Sequence, residues 1–419
     1  MELESKKKQK LKALVDYIVK QLKRVDRITL IAVFTLSGIG MLMIYSITST
    51  PIFNNLTGAS ADLLVRTMES VVIGILGMLL FLLIPYHIFK RYLSPLTFIG
   101  TVALLVLTLV VGRGTAAAPD VRRWIYIGGR TFQPSEFARM GLIIAVAWFI
   151  GRLVYHQKYY TKKIIGWYLA VLAYIVLCGA LIIGQLDLGS ALVVLGVGGV
   201  MFVSSGIGKK QIFLLALVGI VGVSLLGLSG LVQYQQRLDV WRDPFYHDFG
   251  RQSVMGYISI AQGGMFGRGL GESIQKYGFA IEAHTDLIIT ILAEELGVAT
   301  VILVMALYFL IAIRCFRAAL KGKDLFGSLI CIGIGSFFLI QPLINLGGAG
   351  GVIPLSGVTL PLISYGGTSI IATFLMIGMY LNVQAKSKEQ LELEASAVQK
   401  EEKSAKVELE KVIPFQQAK

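Results

Sequence analysis

Charge is what this chain has least of. Asp, Glu, Lys and Arg make up 15% of its 419 residues, against roughly 25% in soluble domains. With 55% hydrophobic residues and a mean hydropathy of +0.72, that shortage excludes an ordinary soluble enzyme. Cysteine is equally scarce. Cys178, Cys315 and Cys331 lie in or beside apolar runs with no metal-like spacing, so no disulfide framework is expected. No internal repeat is evident, which disfavours an inverted-repeat transporter. A cleavable signal is not expected either, because residues 1–27 are basic and lack an apolar core ending in small residues.

What the chain does have is apolar sequence in blocks of about 20 residues. Ten spans are predicted, at 28–47, 64–84, 92–112, 136–155, 164–184, 188–206, 212–232, 286–313, 326–345 and 367–383. Each is long enough to cross about 30 Å of hydrocarbon as a helix, so the expected fold class is an all-α polytopic membrane protein with large outer-face loops. The net charge of +14 does not point to nucleic acid, because the cations are spread over short inter-span loops and the N-terminal segment. There they act as orientation signals and attract anionic membrane lipids. Lys90-Arg91, then Arg152, Lys158, Lys162 and Lys163, then Lys209-Lys210, then Arg314, Arg317, Lys321 and Lys323 all fall on loops of one side. The positive-inside rule makes that side, and both termini, cytoplasmic. Segment 1–27 suits an amphipathic helix along the inner membrane surface, 28–383 is the membrane domain, and 384–419 reads as a charged, mobile cytoplasmic tail.

The opposite loops break the charge rule. Loop 113–135 holds Arg113, Arg122, Arg123 and Arg130, and the long loop 233–285 holds Arg237, Arg242, Arg251, Arg268 and Lys276. A site for an anionic ligand on the outer face accounts for them; solvated loop charge, or pairing with lipid headgroups, is the plainer alternative. Within the long loop, Val254, Tyr257, Ile258 and Ala261 are spaced three and four apart, the pattern of a short amphipathic helix lying on the membrane. Loop 346–366 carries no charge but many Gly and Pro residues. Non-helical backbone at membrane depth must be buried in protein or line a wet cavity.

Carboxylates enter the spans as well. Glu282-Ala-His-Thr-Asp286 leads into the apolar run 287–292, and Glu294-Glu295 follow inside the span. Intramembrane acids cost roughly 2.5–3.5 kcal/mol on insertion scales, which makes them functional candidates by default. The plainer reading of Asp286 is a helix N-terminal carboxylate suited to the dipole. At about 100° per residue, Glu294 lies about 80° and Glu295 about 180° around the helix from Asp286. The two glutamates cannot both share its face, and one is expected to form a buried pair. Glu136 and Arg139 are expected to pair on one helical face, and Asp187 to cap the sixth span.

Gln133-Pro-Ser-Glu136, the stretch from Gln252-Ser253 to Gly271, Glu282-Ala-His-Thr-Asp286, Glu294-Glu295-Leu-Gly297 and Pro361-Leu-Ile-Ser-Tyr-Gly-Gly-Thr-Ser369 together resemble the SEDS proteins, the FtsW/RodA/SpoVE group of bacterial shape, elongation, division and sporulation proteins. The resemblance covers residues 28 to 383, in the family's order and loops. Gly271-Glu-Ser-Ile-Gln-Lys276-Tyr is more similar to the FtsW branch than to the RodA branch. Two departures stand out: Ala280-Ile281 where the family usually has Leu-Pro, and Leu287-Ile288-Ile289 where it usually has phenylalanines.

The resemblance implies a peptidoglycan glycosyltransferase that polymerises lipid II on the outer leaflet into a nascent glycan strand, usually beside a class B penicillin-binding transpeptidase. The family's essential Asp falls on Asp286. Glycan extension needs a sugar 4-hydroxyl to attack an anomeric carbon bearing polyprenyl pyrophosphate, inverting it. Asp286 is the candidate general base, and the pyrophosphate leaving group needs cations. The candidates are Arg122, Arg123, Arg242, Arg251, Arg268 and Lys276, and a divalent cation (Mg or Mn) could share the role. Glu282 and Ser364, from the shared motifs, complete the candidate substrate-binding set. A lipid II flippase or other secondary transporter is the alternative, since it would also place acids in spans.

Overall fold

The computed structural model describes residues 2–49, 60–114, 121–157, 164–206, 232–247, 249–277 and 284–412. Helices follow the apolar blocks. Helix α1 (Glu2–Arg24) precedes α2 (Arg27–Thr48), α3 (Ser60–Leu83) and α4 (Tyr86–Val111). A hairpin of β1 (Ile125–Ile127) and β2 (Arg130–Phe132) leads to α5 (Pro134–Gln157), α6 (Ile164–Gly184) and α7 (Leu188–Ser204). The long loop contains α8 (Val232–Arg242) and α9 (Arg251–Gly263). Helices α10 (Ile288–Lys321), α11 (Leu325–Ala349) and α12 (Gly367–Val412) complete the bundle.

Among the described residues eight helices are long and apolar enough to span a membrane, and α7 is a shorter apolar helix. The protein is therefore a helical, multi-pass membrane protein. The predicted seventh span, 212–232, lies outside the described residues except for Val232, which opens α8. A small antiparallel hairpin and an isolated bridge between Arg113 and Trp124 make up the β structure among the described residues. The hairpin is the larger of the two. Its turn is Gly128-Gly129, at φ 56 and 76, the positive values that a two-residue hairpin turn requires.

Two expectations need correction. Helix α4 begins at Tyr86 rather than 92, because a π-helical turn at Phe89–Leu93 carries the helix through the basic loop. Helix α12 runs 46 residues to Val412, so the expected mobile tail is largely helical. Residues 384–412 contain no Gly or Pro, and good helix formers keep the backbone helical without apolar packing. Arg24 also pairs with Glu389 and Glu392 on α12 at 3.0 and 2.8 Å. Helix α9 forms where the spacing predicts. It runs alongside the first turns of α10 through Gly256, Ser259 and Gly263, with Gly256 beside Thr290 and Gly263 against the Ala293 backbone, while the Val254, Tyr257, Ile258 and Ala261 stripe is not buried.

That packing explains a break in α10. Gly297 sits at φ 82 and ψ 167, and a Cβ there would overlap the Met265 carbonyl. The loop after α9 takes over the hydrogen bonds the break releases. Arg268 and Gly269 N–H donate to the Glu294 and Glu295 carbonyls at 2.9 and 3.0 Å, while Val298 and Ala299 N–H donate to Gly264 and Met265 at 3.0 and 3.1 Å. The first eight residues of α10, Ile288 to Glu295, are wholly buried in protein. The acids Glu294 and Glu295, at the end of this buried stretch, are thus solvated by the fold rather than by lipid.

At the far end of α10, Asp26 accepts from Arg314 Nε and Nη2 (2.7 and 2.8 Å), Tyr380 (2.9 Å) and Thr29 (3.0 Å). This joins α2, α10 and α12. Burial alone would raise the carboxyl's pKa, but the bonds from Arg314, Tyr380 and Thr29 and the arginine's charge outweigh it and hold the group below its ordinary range.

Candidate functional site

Asp286 stands in the turn 284–287 that enters α10, at the end of that helix opposite Lys321. The last turns of α11 and the loop between α11 and α12 fix this turn at three points. Tyr365 N–H donates to the His284 carbonyl at 2.8 Å, and Ser364 Oγ donates to the Thr285 carbonyl at 2.7 Å. Asn345 Nδ2 bridges the carbonyls of Asp286 (2.8 Å) and Val358 (2.6 Å). The Asp286 backbone is therefore held independently of its side chain.

The side chain faces Gly357. A methyl group on Gly357 would lie 3.3 Å from Asp286 Oδ2 and 4.0 Å from Arg123 Nη1. Carboxylate and guanidinium therefore flank one backbone position, which takes φ 71 and has no side chain to fill the gap. Arg123 is half-buried, its Nη2 donating to the Leu186 carbonyl, and its buried Nε has no protein acceptor. Arg122 turns elsewhere and, exposed, donates to Leu109 O at 3.0 Å. Neighbours in sequence, the two arginines are separated by the extended backbone leading into β1.

A buried polar chain lies beneath. Arg139 Nη1 pairs with Glu136 at 2.8 Å, as the spacing predicted, with both side chains 3% exposed. The same arginine donates to Gln341 Oε1 at 2.8 Å and Ser190 Oγ at 2.6 Å. Gln341 Nε2 in turn donates to the Thr359 carbonyl at 2.8 Å, two residues from Gly357. Asp187 caps α7 as expected, accepting from Ser190 N–H at 3.1 Å, and Gln133 Nε2 approaches it at 3.5 Å.

The remaining predicted residues divide. Lys276 is a correction: it lies buried, with Nζ 2.9 Å from Glu295 Oε1 and 3.1 Å from Ser46 Oγ. Its charge is committed to the expected buried pair rather than to a ligand. Glu294 accepts from Ser273 Oγ (2.7 Å) and Ile274 N–H (2.8 Å), which ties the long loop to α10. Ser364 is buried, and its hydroxyl accepts from Leu360 N–H at 2.7 Å while donating to Thr285, a structural role. Arg242 and Arg251 are exposed on either side of the α8–α9 turn. Arg268 is exposed, with Nη1 3.3 Å from Gln262 and its backbone fixed beside Glu294, eight residues beyond Asp286. Glu282 lies outside the described residues. Among the described residues no cluster of three His, Cys, Asp or Glu side chains could hold a metal ion.

Sequence reasoning counted Arg237 among the outer-loop cations without making it a site candidate, and it passed over Asn345. Arg237 Nη1 reaches the carbonyls of Leu355 and Ser356 at 3.4 and 3.5 Å, next to Gly357. Its position one helical turn before Trp241 was the available signal.

Residues 27–389 match the cell cycle protein family FtsW/RodA/SpoVE. The chain belongs to that family. Within the FtsW/RodA/SpoVE family it is FtsW-like. It is 33% identical over 378 residues to the probable peptidoglycan glycosyltransferase FtsW of Bacillus subtilis (strain 168), covering 87% of this chain and 91% of that one. It is 32% identical over 366 residues to stage V sporulation protein E of the same organism, covering 87% and 98%. Among solved structures it resembles a chain of a peptidoglycan synthase complex that coordinates polymerization and crosslinking, with TM-score 0.69, 28% identity and coverage of 87% and 98%. Rod shape determining protein RodA of Thermus thermophilus gives TM-score 0.63 and 27% identity, with coverage of 86% and 96%.

Proposed function

We propose that this protein is a peptidoglycan glycosyltransferase that polymerises lipid II at the outer face of the bacterial cytoplasmic membrane. The observation that carries the mechanism is that Asp286 Oδ2 and Arg123 Nη1 both come within 4.0 Å of where a methyl group on Gly357 would lie. Asp286 takes the proton from the acceptor sugar's 4-hydroxyl. The hydroxyl oxygen forms a bond to the donor's anomeric carbon as the bond from that carbon to pyrophosphate breaks, inverting the centre. The electron pair leaves with polyprenyl pyrophosphate. Arg123, with spare donor capacity on a half-buried guanidinium, stabilises that leaving anion. One carboxylate is sufficient because pyrophosphate needs a cation rather than an acid.

The positive-inside charge pattern supports the outer-face assignment, with Asp286 and Lys321 at opposite ends of α10. A divalent cation finds no ligand cluster among the described residues, and no step here is routed through one. The relative solved in a synthase complex supports a class B penicillin-binding transpeptidase as the partner.

The test is lipid II polymerisation in detergent by wild type and Asp286→Asn, each with and without a partner transpeptidase. Glycan strands are expected from wild type and not from a folded variant. A variant that polymerises normally removes Asp286 as base. If wild type makes no strands under any of these conditions, lipid II translocation becomes the reading to assay.

A further inference from the structure

We infer that α8 is a positioning strap for the site: Trp241 and Arg237 hold the segment from Gly351 to Gly357, and that segment sets the spacing between the Asp286 carboxylate and Arg123. The inference rests on the proposed role of Asp286 and adds residues that the reaction scheme does not use.

Trp241 and Arg237 are four residues apart on α8, and therefore on one helical face. Both reach the same loop. Trp241 Nε1 donates to the Gly351 carbonyl at 2.9 Å. Arg237 Nη1 lies 3.4 and 3.5 Å from the carbonyls of Leu355 and Ser356. Tyr257 of α9 packs its ring and hydroxyl against Gly351 from the other side. The far end of the segment is held by Asn345 Nδ2 on the Val358 carbonyl and Gln341 Nε2 on the Thr359 carbonyl.

Gly357 lies between these two sets of anchors. It is the residue whose missing side chain leaves open the position that Asp286 Oδ2 and Arg123 Nη1 both border. Asn345 also holds the Asp286 carbonyl, so one wall of the gap is pinned to the bundle. The other wall depends on the Gly351–Gly357 backbone, which α8 grips at Gly351 through the Trp241 indole and at Leu355 and Ser356 through Arg237. Trp241 is 39% exposed. Little core packing rides on it, and the loss of its N–H is felt mainly by the loop. A change on the outer surface at α8 is thereby transmitted to the Asp286–Arg123 gap without any contact to substrate.

The experiment compares full-length wild type, Trp241→Phe, Arg237→Gln and the double variant, each with partner transpeptidase. It measures lipid II polymerisation as kcat, KM and the pH profile of kcat. Trp241→Phe keeps an aromatic ring and removes the donor, and Arg237→Lys serves as the conservative rescue. The double variant is expected to lose roughly 10–100-fold in kcat, because a misplacement of about 1 Å at a reacting group can cost 10²-fold, while KM stays within about twofold. The acid limb of the kcat profile is expected to move to higher pH, since a carboxylate drawn away from a cation is harder to ionise. Hydrogen exchange across 351–357 is expected to accelerate. Phe245→Ala and Tyr246→Ala, on the same outer loop, should leave all of these unchanged.

Unaltered kcat, pH profile and exchange in the double variant would overturn the strap. So would a raised KM at constant kcat, which would make α8 a binding surface instead. If the double variant fails to fold, Trp241→Phe alone decides between these outcomes. An active Asp286→Asn would overturn the underlying reading, whereas an inactive Asp286→Asn beside an unaffected strap variant would overturn only the inference.

Discussion

Lys276→Met removes the cation from a pair whose side chains are 1% and 0% exposed. Glu295 keeps Ser46 Oγ, 2.8 Å from both carboxylate oxygens, but loses its counter-charge at a buried position. Breaking a buried pair in this way costs about 3–5 kcal/mol, mostly because the surviving charge is stranded. That is roughly 10²–10⁴-fold in the folding equilibrium. Adding Glu295→Gln removes the stranded charge, so the double variant should recover more than half of the loss although it lacks both ions. Unfolding in detergent, analysed as a double-mutant cycle, reads this directly. Effects that add to within about 0.5 kcal/mol would refute the pairing energetics. Polymerisation supplies the second arm: the double variant should extend glycan strands at a rate near wild type. If its stability returns and its activity does not, Lys276 belongs to the substrate site after all.

Gly357→Ala meets two penalties. A left-handed conformation costs a non-glycine residue about 1–2 kcal/mol, and the new methyl enters the gap 3.3 Å from Asp286 Oδ2. Turnover should fall at least tenfold with the protein still folded; wild-type kcat would mean that the gap is not where the reaction occurs. Arg123→Gln should weaken lipid II turnover roughly 10²-fold, in the range seen when a transition-state donor is removed, and Arg122→Gln should act less than fivefold. Equal effects in the same assay would contradict their separation. Asp26, held below its ordinary range, contributes stability above its unfolded value that is lost as pH falls through the folded pKa. Unfolding in detergent should therefore become easier below about pH 4, and Asp26→Asn should flatten that dependence.

Much of the architecture was legible because a bilayer imposes length and polarity on each segment separately. Nine of the ten predicted spans have helical counterparts among the described residues, and local spacing was enough for Glu136–Arg139 and for the Asp187 cap. The errors have a common physical source. The tail looked mobile because it cannot bury apolar surface, yet an unbroken run of helix formers continues α12, and Arg24 engages it. Lys276 looked like a ligand cation because its loop defied the charge rule, but that loop folds down beside α10 and spends the charge on Glu295.

From the sequence alone came the membrane class and the helices that follow the apolar blocks, because composition and the cost of charge in hydrocarbon act residue by residue. Asp286 stood out by its place at a span entrance and by the family resemblance. Which cation faces Asp286 was decided only in three dimensions. Six cations were equivalent on the page. Chain segments more than 60 residues apart bring Arg123, Asp286 and Gly357 together, through backbone carbonyls and one absent side chain that no local pattern encodes.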